Sequence, residues 1–521
     1  MSGLLRNRAW VSGVALVTVF AFAACSDDDD ATNPSTAGKS SGGSAGSSGS
    51  NPGGEGGNST AGSSTAGKAG NAGSAGTATA GTAGSTTAGT AGTATGGETM
   101  GGQGGVGGSG GDAGGAGAGG AGNPLDKLRT AMAGMSPLPA VPADTTNQYA
   151  DNAAAATLGQ MLFFDKNFSG ALKADNDLGT ATQTGKVSCA SCHSGAPLID
   201  ERNSHEAIAI GTGINTRNAP AVVNSAFYTW TNWGGRFSAQ WELPLAVVEN
   251  GNLMAFNRLA LAHRIYTKYK TEYEAAFTSI PDITDLALFP ATGKPGDAAF
   301  DGMAAGDKVI INRILVNYSK AIQAYMRKLV SREAAFDKFM AGDDSALTVA
   351  QVNGAWQFVD HGCTTCHSGA HFSDEGFHHL GVPQALNVPL NSPATDDGRF
   401  ANTPALIGAA NLFNRNGDYS DDKNTGKLET IPATLPDSWK AAFRTPSLRE
   451  VALTAPYMHG GQFATLDAVI DFYAAGGGVG NGEITAFSIS AGDKADLVAF
   501  LGSLTGKALD AALVTDTSAA P

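Results

Sequence analysis

The sequence predicts a mainly α-helical protein of two domains with long loops, preceded by a disordered linker. Three observations lead there. Of 521 residues, 71 are Gly, and these crowd into the N-terminal part, which therefore lacks the apolar bulk to form a core. Beyond it, apolar residues recur at three- and four-residue spacing while runs of alternating strand pattern are few. The sequence Cys-x-x-Cys-His then occurs twice, once in each half of the remaining length.

Residues 1–25 place Arg6 and Arg8 ahead of an apolar run from Val11 to Ala24 that is too short for a comfortable membrane span and ends in small residues. This is an export signal. Its end, Phe22-Ala23-Ala24-Cys25, resembles a bacterial lipobox, so the mature protein is expected in the periplasm or cell envelope, anchored by a lipid on Cys25. Residues 26–122 begin with four Asp at 27–30 and continue almost wholly as Gly, Ala, Ser and Thr; such a composition behaves as a solvated coil and reads as a flexible tether. Residues 123–345 are the first predicted domain, closed by a long amphipathic helix on which Ile311, Ile314, Leu315, Tyr318, Ile322, Tyr325, Met326 and Leu329 share a face. Residues 346–514 are the second, ending in a helix capped by Ser490 with Asp493 and buried through Leu497, Val498, Leu501 and Leu504.

A net charge of −14 argues against nucleic-acid binding, which needs clustered Lys and Arg, and suits docking to a basic electron donor. Five cysteines are present: Cys25 and the four of the two motifs. None is left for a disulfide. A c-type haem needs two thiols for thioethers to its vinyl groups and a neighbouring His for its iron. Cys189, Cys192 and His193 supply that set once, and Cys363, Cys366 and His367 supply it again. Two covalently bound haems in cytochrome c-like domains follow, and their apolar area makes small helical domains with long loops tenable. An iron ligated strongly on both faces passes electrons, whereas an open distal face binds peroxide or oxygen. His205, His371, His378 and His379 are candidate distal ligands by proximity, and surface or hydrogen-bonding roles are open for each.

Residues 150–505 resemble the bacterial di-haem cytochrome c peroxidases and the related MauG-type enzymes. The resemblance is carried by Gly159-Gln160-Met161-Leu162-Phe163-Phe164-Asp165, by both Cys-x-x-Cys-His motifs, and by Arg217-Asn218-Ala219-Pro220 and Trp233-Gly234-Gly235-Arg236. Phe443-Arg444-Thr445-Pro446-Ser447-Leu448-Arg449 and Leu453-Thr454-Ala455-Pro456-Tyr457-Met458-His459-Gly460-Gly461 complete it. It implies a peroxide-reactive first haem and a second haem that stores and relays an electron. Trp233 would lie on the electron path, although a core indole is the alternative, and Arg236 of the same motif joins it as a catalytic candidate. It also implies a calcium ion held by Asn218, Thr454 and Pro456, oxygen ligands suited to a hard cation.

The sequence departs from the family at the groups that handle protons. The family's catalytic Gln falls on Leu243 and its catalytic Glu on Leu253, and neither side chain can move a proton. Heterolysis of an O–O bond needs an acid or base near the distal face, so Glu242 and Glu249 are the substitute candidates, with solvated glutamates as the alternative. The distal His of many resting peroxidases aligns near Thr212, implying an open first haem with His205 as the nearby imidazole. Where the family's usual distal Met falls, the chain has Tyr473, as MauG-type enzymes do. A phenolate would lower the second haem's potential. Met458 is the alternative ligand, and core packing after Leu466, Val469 and Ile470 is the alternative role for Tyr473. The expected reaction is reduction of hydrogen peroxide to water with electrons from a small donor protein such as a cytochrome c. The rivals are a MauG-like oxidase acting on a protein or organic substrate and a non-catalytic electron carrier; a homodimer is left open.

Overall fold

The structure, a computed structural model, describes residues 123–195, 210–383, 396–408 and 411–519. The expected signal and linker, Cys25 and His205 lie outside the described residues. Asn123 opens α1 (Pro124–Ala131) by accepting the Leu125 N–H, with Pro at the first helical position. Asn152 caps α2 (Ala153–Phe164) in the same way through Ala155. The single turn α3 (Cys189–Cys192) carries the first motif. After it come α4 (Glu242–Glu249), α5 (Arg258–Lys268), α6 (Lys270–Ala276) and α7 (Ala298–Asp301), then the long α8 (Ala305–Met326). Every residue of the expected apolar face of α8 is buried, and Leu329 is buried just past its end.

The second half opens with α9 (Ala335–Met340) and α10 (Val349–Asp360), the latter begun by a capping box between Thr348 and Gln351. Then follow α11 (Gly398–Ile407), α12 (Leu466–Ala474) and α13 (Ala491–Gly502). Ser490 caps α13 by accepting the Asp493 N–H at 3.1 Å; Leu497, Leu501 and Leu504 are buried as expected, while Val498 is half-buried. Sheet is confined, among the described residues, to β1 (Phe377–His378) paired antiparallel with β2 (Phe443–Arg444), Phe377 opposite Arg444. The protein is mostly helical with little sheet.

Two apolar cores organise these elements. In the first, α2 packs along α8 and brings Leu158, Leu162 and Phe163 against Ile314, Tyr318 and Tyr325. In the second, α10 packs along α13 and joins Phe358 to Phe500, Phe336 and Phe372. Both crossings need a glycine. A Cβ on Gly159 would stand 1.9 Å from the Ala321 carbonyl oxygen, and one on Gly354 would stand 1.9 Å from that of Asp496. Three segments pack outside their own half: Leu128, Met132 and Met135 enter the second core, Phe413 and Tyr419 enter the first, and Leu509 and Leu513 pack against the first. All described residues belong to one compact unit.

Candidate haem sites and the joint between them

The turn of α3 sets Cys189 and Cys192 three residues apart, and the His193 N–H closes it on the Cys189 carbonyl at 2.9 Å. Burial pushes the Cys189 thiol up to about 12 and the Cys363 thiol up to about 11. A thioether carries no charge, so surroundings that penalise a thiolate suit a haem-linked sulfur. Phe163 places its ring 6.4 Å from that of His193 and 5.2 Å from that of Tyr325. On the other side of the motif, Cys192 Sγ lies 3.8 Å from the Ile210 carbonyl. The strand of loop that follows is tied to residues 251–253. The Thr212 N–H donates to Leu253 at 2.8 Å, the Gly213 N–H to Asn252 at 2.9 Å, and the Thr212 hydroxyl to Gly251 at 3.0 Å. Thr212 and Leu253, two of the positions where the sequence departs from its family, are thus neighbours, and Leu243 packs on the same core as Cys189.

At the second motif, Cys363 begins a short 3-10 turn and the His367 N–H closes on its carbonyl at 2.9 Å. His367 Nδ1 donates to the Phe372 carbonyl at 3.0 Å, which orients the ring and makes Nε2 the nitrogen with the lone pair that a metal takes. Phe372 turns that carbonyl inward from a left-handed backbone at φ 53. Burial lowers the His367 pKa, favouring the neutral ring that a metal requires. On α12, the Tyr473 hydroxyl lies within electrostatic reach of Cys363 and Cys366, and its pKa is raised chiefly by burial. Such a phenol ionises only beside a cation, and a ferric iron would be one.

The other histidines near this motif sit in surroundings that differ from one to the next. His378 is engaged at both nitrogens, Nδ1 with Glu483 at 2.5 Å and Nε2 with Asp374 at 3.0 Å. The backbone N–H of His379 donates to the Glu483 carboxylate at 2.8 Å. His371 packs 4.7 Å from the Tyr228 ring with its Nε2 buried and unpartnered, and burial, then Arg444 and Arg449, lowers its pKa to about 3. Cys366, Asp374 and His378 bring ligand atoms within 4.8 Å of one another, and a haem linked through Cys366 would consume that sulfur.

Trp233 is hydrogen-bonded to both halves. Its indole N–H donates to the Asn218 carbonyl at 2.8 Å, and its own carbonyl accepts the Arg444 N–H at 2.8 Å. Around it, Arg217 holds Asp396 through two bonds of 2.7 and 2.6 Å, and Arg399 Nη1 donates to the Gly235 carbonyl at 2.5 Å. Arg236 is half-buried, its guanidinium 6.0 Å from the Phe237 ring centre. Glu242 is buried at the start of α4. It accepts from the Ser238 hydroxyl at 2.5 Å and the Ala239 N–H at 2.8 Å, and burial raises its pKa to about 7. Glu249, at the other end of α4, takes Arg258 Nε at 2.9 Å and Nη2 at 2.5 Å in a two-pronged ion pair.

Of the residues expected to hold calcium, Asn218 and Pro456 meet at 2.8 Å, with the Asn218 amide N–H donating to the Pro456 carbonyl. A cation there needs the amide oxygen instead, which a half-turn of the side chain supplies. Thr454 lies in the same loop, its N–H and hydroxyl both directed to Val451. Sequence reasoning missed the Phe372 carbonyl, the Arg217–Asp396 pair and Arg399. A backbone acceptor leaves no trace in residue type, Arg217 stood in the Arg-Asn-Ala-Pro motif without its partner, and Arg399 is recognisable only through partners distant in sequence.

The di-haem cytochrome c peroxidase family profile matches residues 153–345. The chain is 31% identical to the cytochrome-c peroxidase IdrP2 of Denitromonas iodatirespirans over 373 residues, covering 69% of this chain and 84% of that protein. It is 28% identical to the cytochrome c551 peroxidase of Pseudomonas aeruginosa, over 67% of this chain and 78% of that one. Against the methylamine utilization protein MauG of Methylophilus methylotrophus the identity is 27%, over 68% and 83%. In fold it is similar to the di-haem peroxidase BthA of Burkholderia thailandensis, with a TM-score of 0.50 at 19% identity over 73% of this chain and 90% of that one. The chain belongs to the di-haem cytochrome c peroxidase and MauG family. It is a peroxidase-like oxidoreductase, and the family implies two c-type haems.

Proposed function

We propose that the protein reduces hydrogen peroxide to water at the haem attached to Cys189 and Cys192, with electrons that a small cytochrome-type donor delivers to the haem attached to Cys363 and Cys366. When bound, the haems supply an iron that takes peroxide and a second iron that stores an electron. The observation that carries the reading is Trp233, its indole N–H held by the Asn218 carbonyl and its backbone carbonyl by the Arg444 N–H, which ties a redox-capable ring to both halves. His193 and His367 would each ligate an iron, and Tyr473 would be a further ligand to the second. Glu242 is the proton carrier: a carboxyl near 7 can both give and take a proton at neutral pH. Glu249 is already committed to Arg258, and Arg236 is assigned to orienting the Trp233 loop. Residues 123–345 form the peroxidatic domain and residues 346–514 the electron-entry domain, with calcium held by Asn218, Thr454 and Pro456 at their joint. The molecule works outside the cytoplasm on a lipid at Cys25. Tyr473 favours a second reading, a MauG-like oxidase, because a phenolate stabilises oxidised iron.

Titration of the ferric, haem-loaded protein with stoichiometric peroxide, followed optically and by EPR, tests the assignment, and turnover with reduced cytochrome c then separates the readings. Rapid oxidation of one high-spin haem with fast donor turnover is expected. A long-lived two-electron-oxidised state with poor donor turnover would transfer the assignment to the oxidase, and two unreactive low-spin haems would leave an electron carrier.

A further inference from the structure

Asp165 closes the Gly-Gln-Met-Leu-Phe-Phe-Asp motif at the C-terminal end of α2, and the peroxidase reaction gives it no task. It is 2% exposed and meets Tyr269, also 2% exposed, whose hydroxyl donates to Asp165 Oδ2 at 2.7 Å. Arg264 Nε donates to the same oxygen at 2.9 Å, and the Asn167 N–H to Oδ1 at 3.0 Å. Burial pushes the Asp165 carboxyl up, but the bonds from Tyr269, Asn167 and Arg264 outweigh it and hold the group below the usual carboxylate range. A phenol is thus paired with an ionised base inside the first core. Aromatic rings connect it to the first haem attachment site. Phe168 lies 6.1 Å from Tyr269 in a stacked arrangement and 5.2 Å from Tyr318, and the Tyr318 hydroxyl is within electrostatic reach of both Cys189 and Tyr269.

We propose that Tyr269, paired with Asp165, is an internal one-electron donor to the first haem, a buried redox site that takes up oxidising equivalents when peroxide has reacted and no external electron arrives. The proposal rests on the peroxidase reading, which supplies the oxidant. In the step, Tyr269 loses one electron to the oxidised haem and its O–H proton to Asp165, leaving a neutral phenoxyl beside a neutral carboxylic acid and a haem reduced by one electron. Three buried tyrosines border this route, and the proton selects among them. A phenol that has lost an electron is strongly acidic, and keeping the resulting charge in an apolar core is costly. The Tyr318 hydroxyl has no hydrogen-bond partner. That of Tyr325 donates to the Leu513 carbonyl at 2.5 Å, an acceptor too weak to become protonated. Only Tyr269, of the three, faces a base. Because it is buried, the hole it takes stays inside the protein, so it acts as a reservoir rather than as a site for external substrate.

The test is rapid-freeze EPR of the full-length, haem-loaded protein mixed with one equivalent of hydrogen peroxide and no donor, with haem oxidation followed optically in the same samples. Wild type is expected to give an organic radical that narrows when the protein carries ring-deuterated tyrosine. Tyr269→Phe, which removes only the hydroxyl, should lose that signal while the haem is oxidised at the wild-type rate. Asp165→Asn, which keeps an acceptor but not a base, should lose it too. A radical of undiminished intensity in Tyr269→Phe overturns the proposal even if Asp165→Asn fails to fold. Haem oxidation with no organic radical in wild type overturns it and leaves the peroxidase reading standing, whereas failure of peroxide to oxidise either haem brings down both.

Discussion

Glu242 shows two electrostatic effects in opposition. It lies in the first turn of α4, where the helix dipole and the N–H groups of Ser238 and Ala239 favour its negative charge, yet burial dominates and the carboxyl rises from its ordinary 4.5 to about 7. The folded protein therefore binds this proton more tightly than the unfolded chain. The resulting stabilisation is complete below pH 4.5 and is lost as pH rises through 7. At about 1.4 kcal/mol per pH unit the full effect is about 3 kcal/mol. Glu242→Gln is always neutral, so its stability relative to wild type should rise by up to about 3 kcal/mol between pH 4 and pH 8, measured as the difference in denaturant unfolding at the two ends. The same variant should reduce peroxide turnover by about 10²-fold or more if Glu242 carries the proton; an unchanged rate would leave it a buried structural carboxyl that ties down the turn before α4. Tyr473→Met exchanges a hard anionic donor for a thioether. The second haem's midpoint potential should then rise by on the order of 0.1 V, within the span of about 0.8 V open to axial ligands. A redox titration showing no change would remove Tyr473 from the iron.

Helix pairs define each half, and each pair depends on one glycine at its crossing. Gly354→Ala would drive a methyl against the Asp496 backbone, whose carbonyl carbon stands 2.4 Å from the added Cβ, and backbone cannot move aside as a side chain can. A loss of about 1–3 kcal/mol in unfolding free energy is expected. Gly306→Ala, in α8 with nothing within 4 Å of its Cβ, should be neutral or stabilising by up to about 1 kcal/mol. Equal effects at the two positions would show that helix propensity rather than crossing geometry decides. In the sequence, α8 was legible because a long helix with one buried face repeats its signal over several turns, and α13 because Ser490 and Asp493 mark its start. Gly354 was not, since a glycine inside a helical pattern reads as a propensity cost until the partner that requires it is known. Leu128, Met132 and Met135 pointed to burial but not to the second core, because an apolar residue carries no address.

At the scale of the molecule, the legible chemistry was the contiguous kind: each Cys-x-x-Cys-His motif gathers within five positions the three residues that would attach and ligate a haem. What joins the two sites was less so. Trp233 could be singled out by its motif, but its partners, the Asn218 carbonyl and the Arg444 N–H, are backbone atoms supplied by different halves of the chain. This arrangement yields a test that separates transport of electrons from packing. Trp233→Phe keeps an aromatic ring and gives up the indole N–H, a hydrogen bond whose loss costs about 1 kcal/mol. The backbone bond from Arg444, the Arg217–Asp396 pair and the Arg399–Gly235 contact stay in place, so the two halves should remain docked. Both haem spectra and both midpoint potentials are therefore expected to match wild type. Stopped-flow mixing of the half-reduced protein with peroxide should nevertheless show slower oxidation of the second haem, and turnover with reduced donor should fall in proportion. If transfer proceeds at the wild-type rate in a protein with unaltered spectra, the indole is a packing group, and the electron crosses the joint by another path.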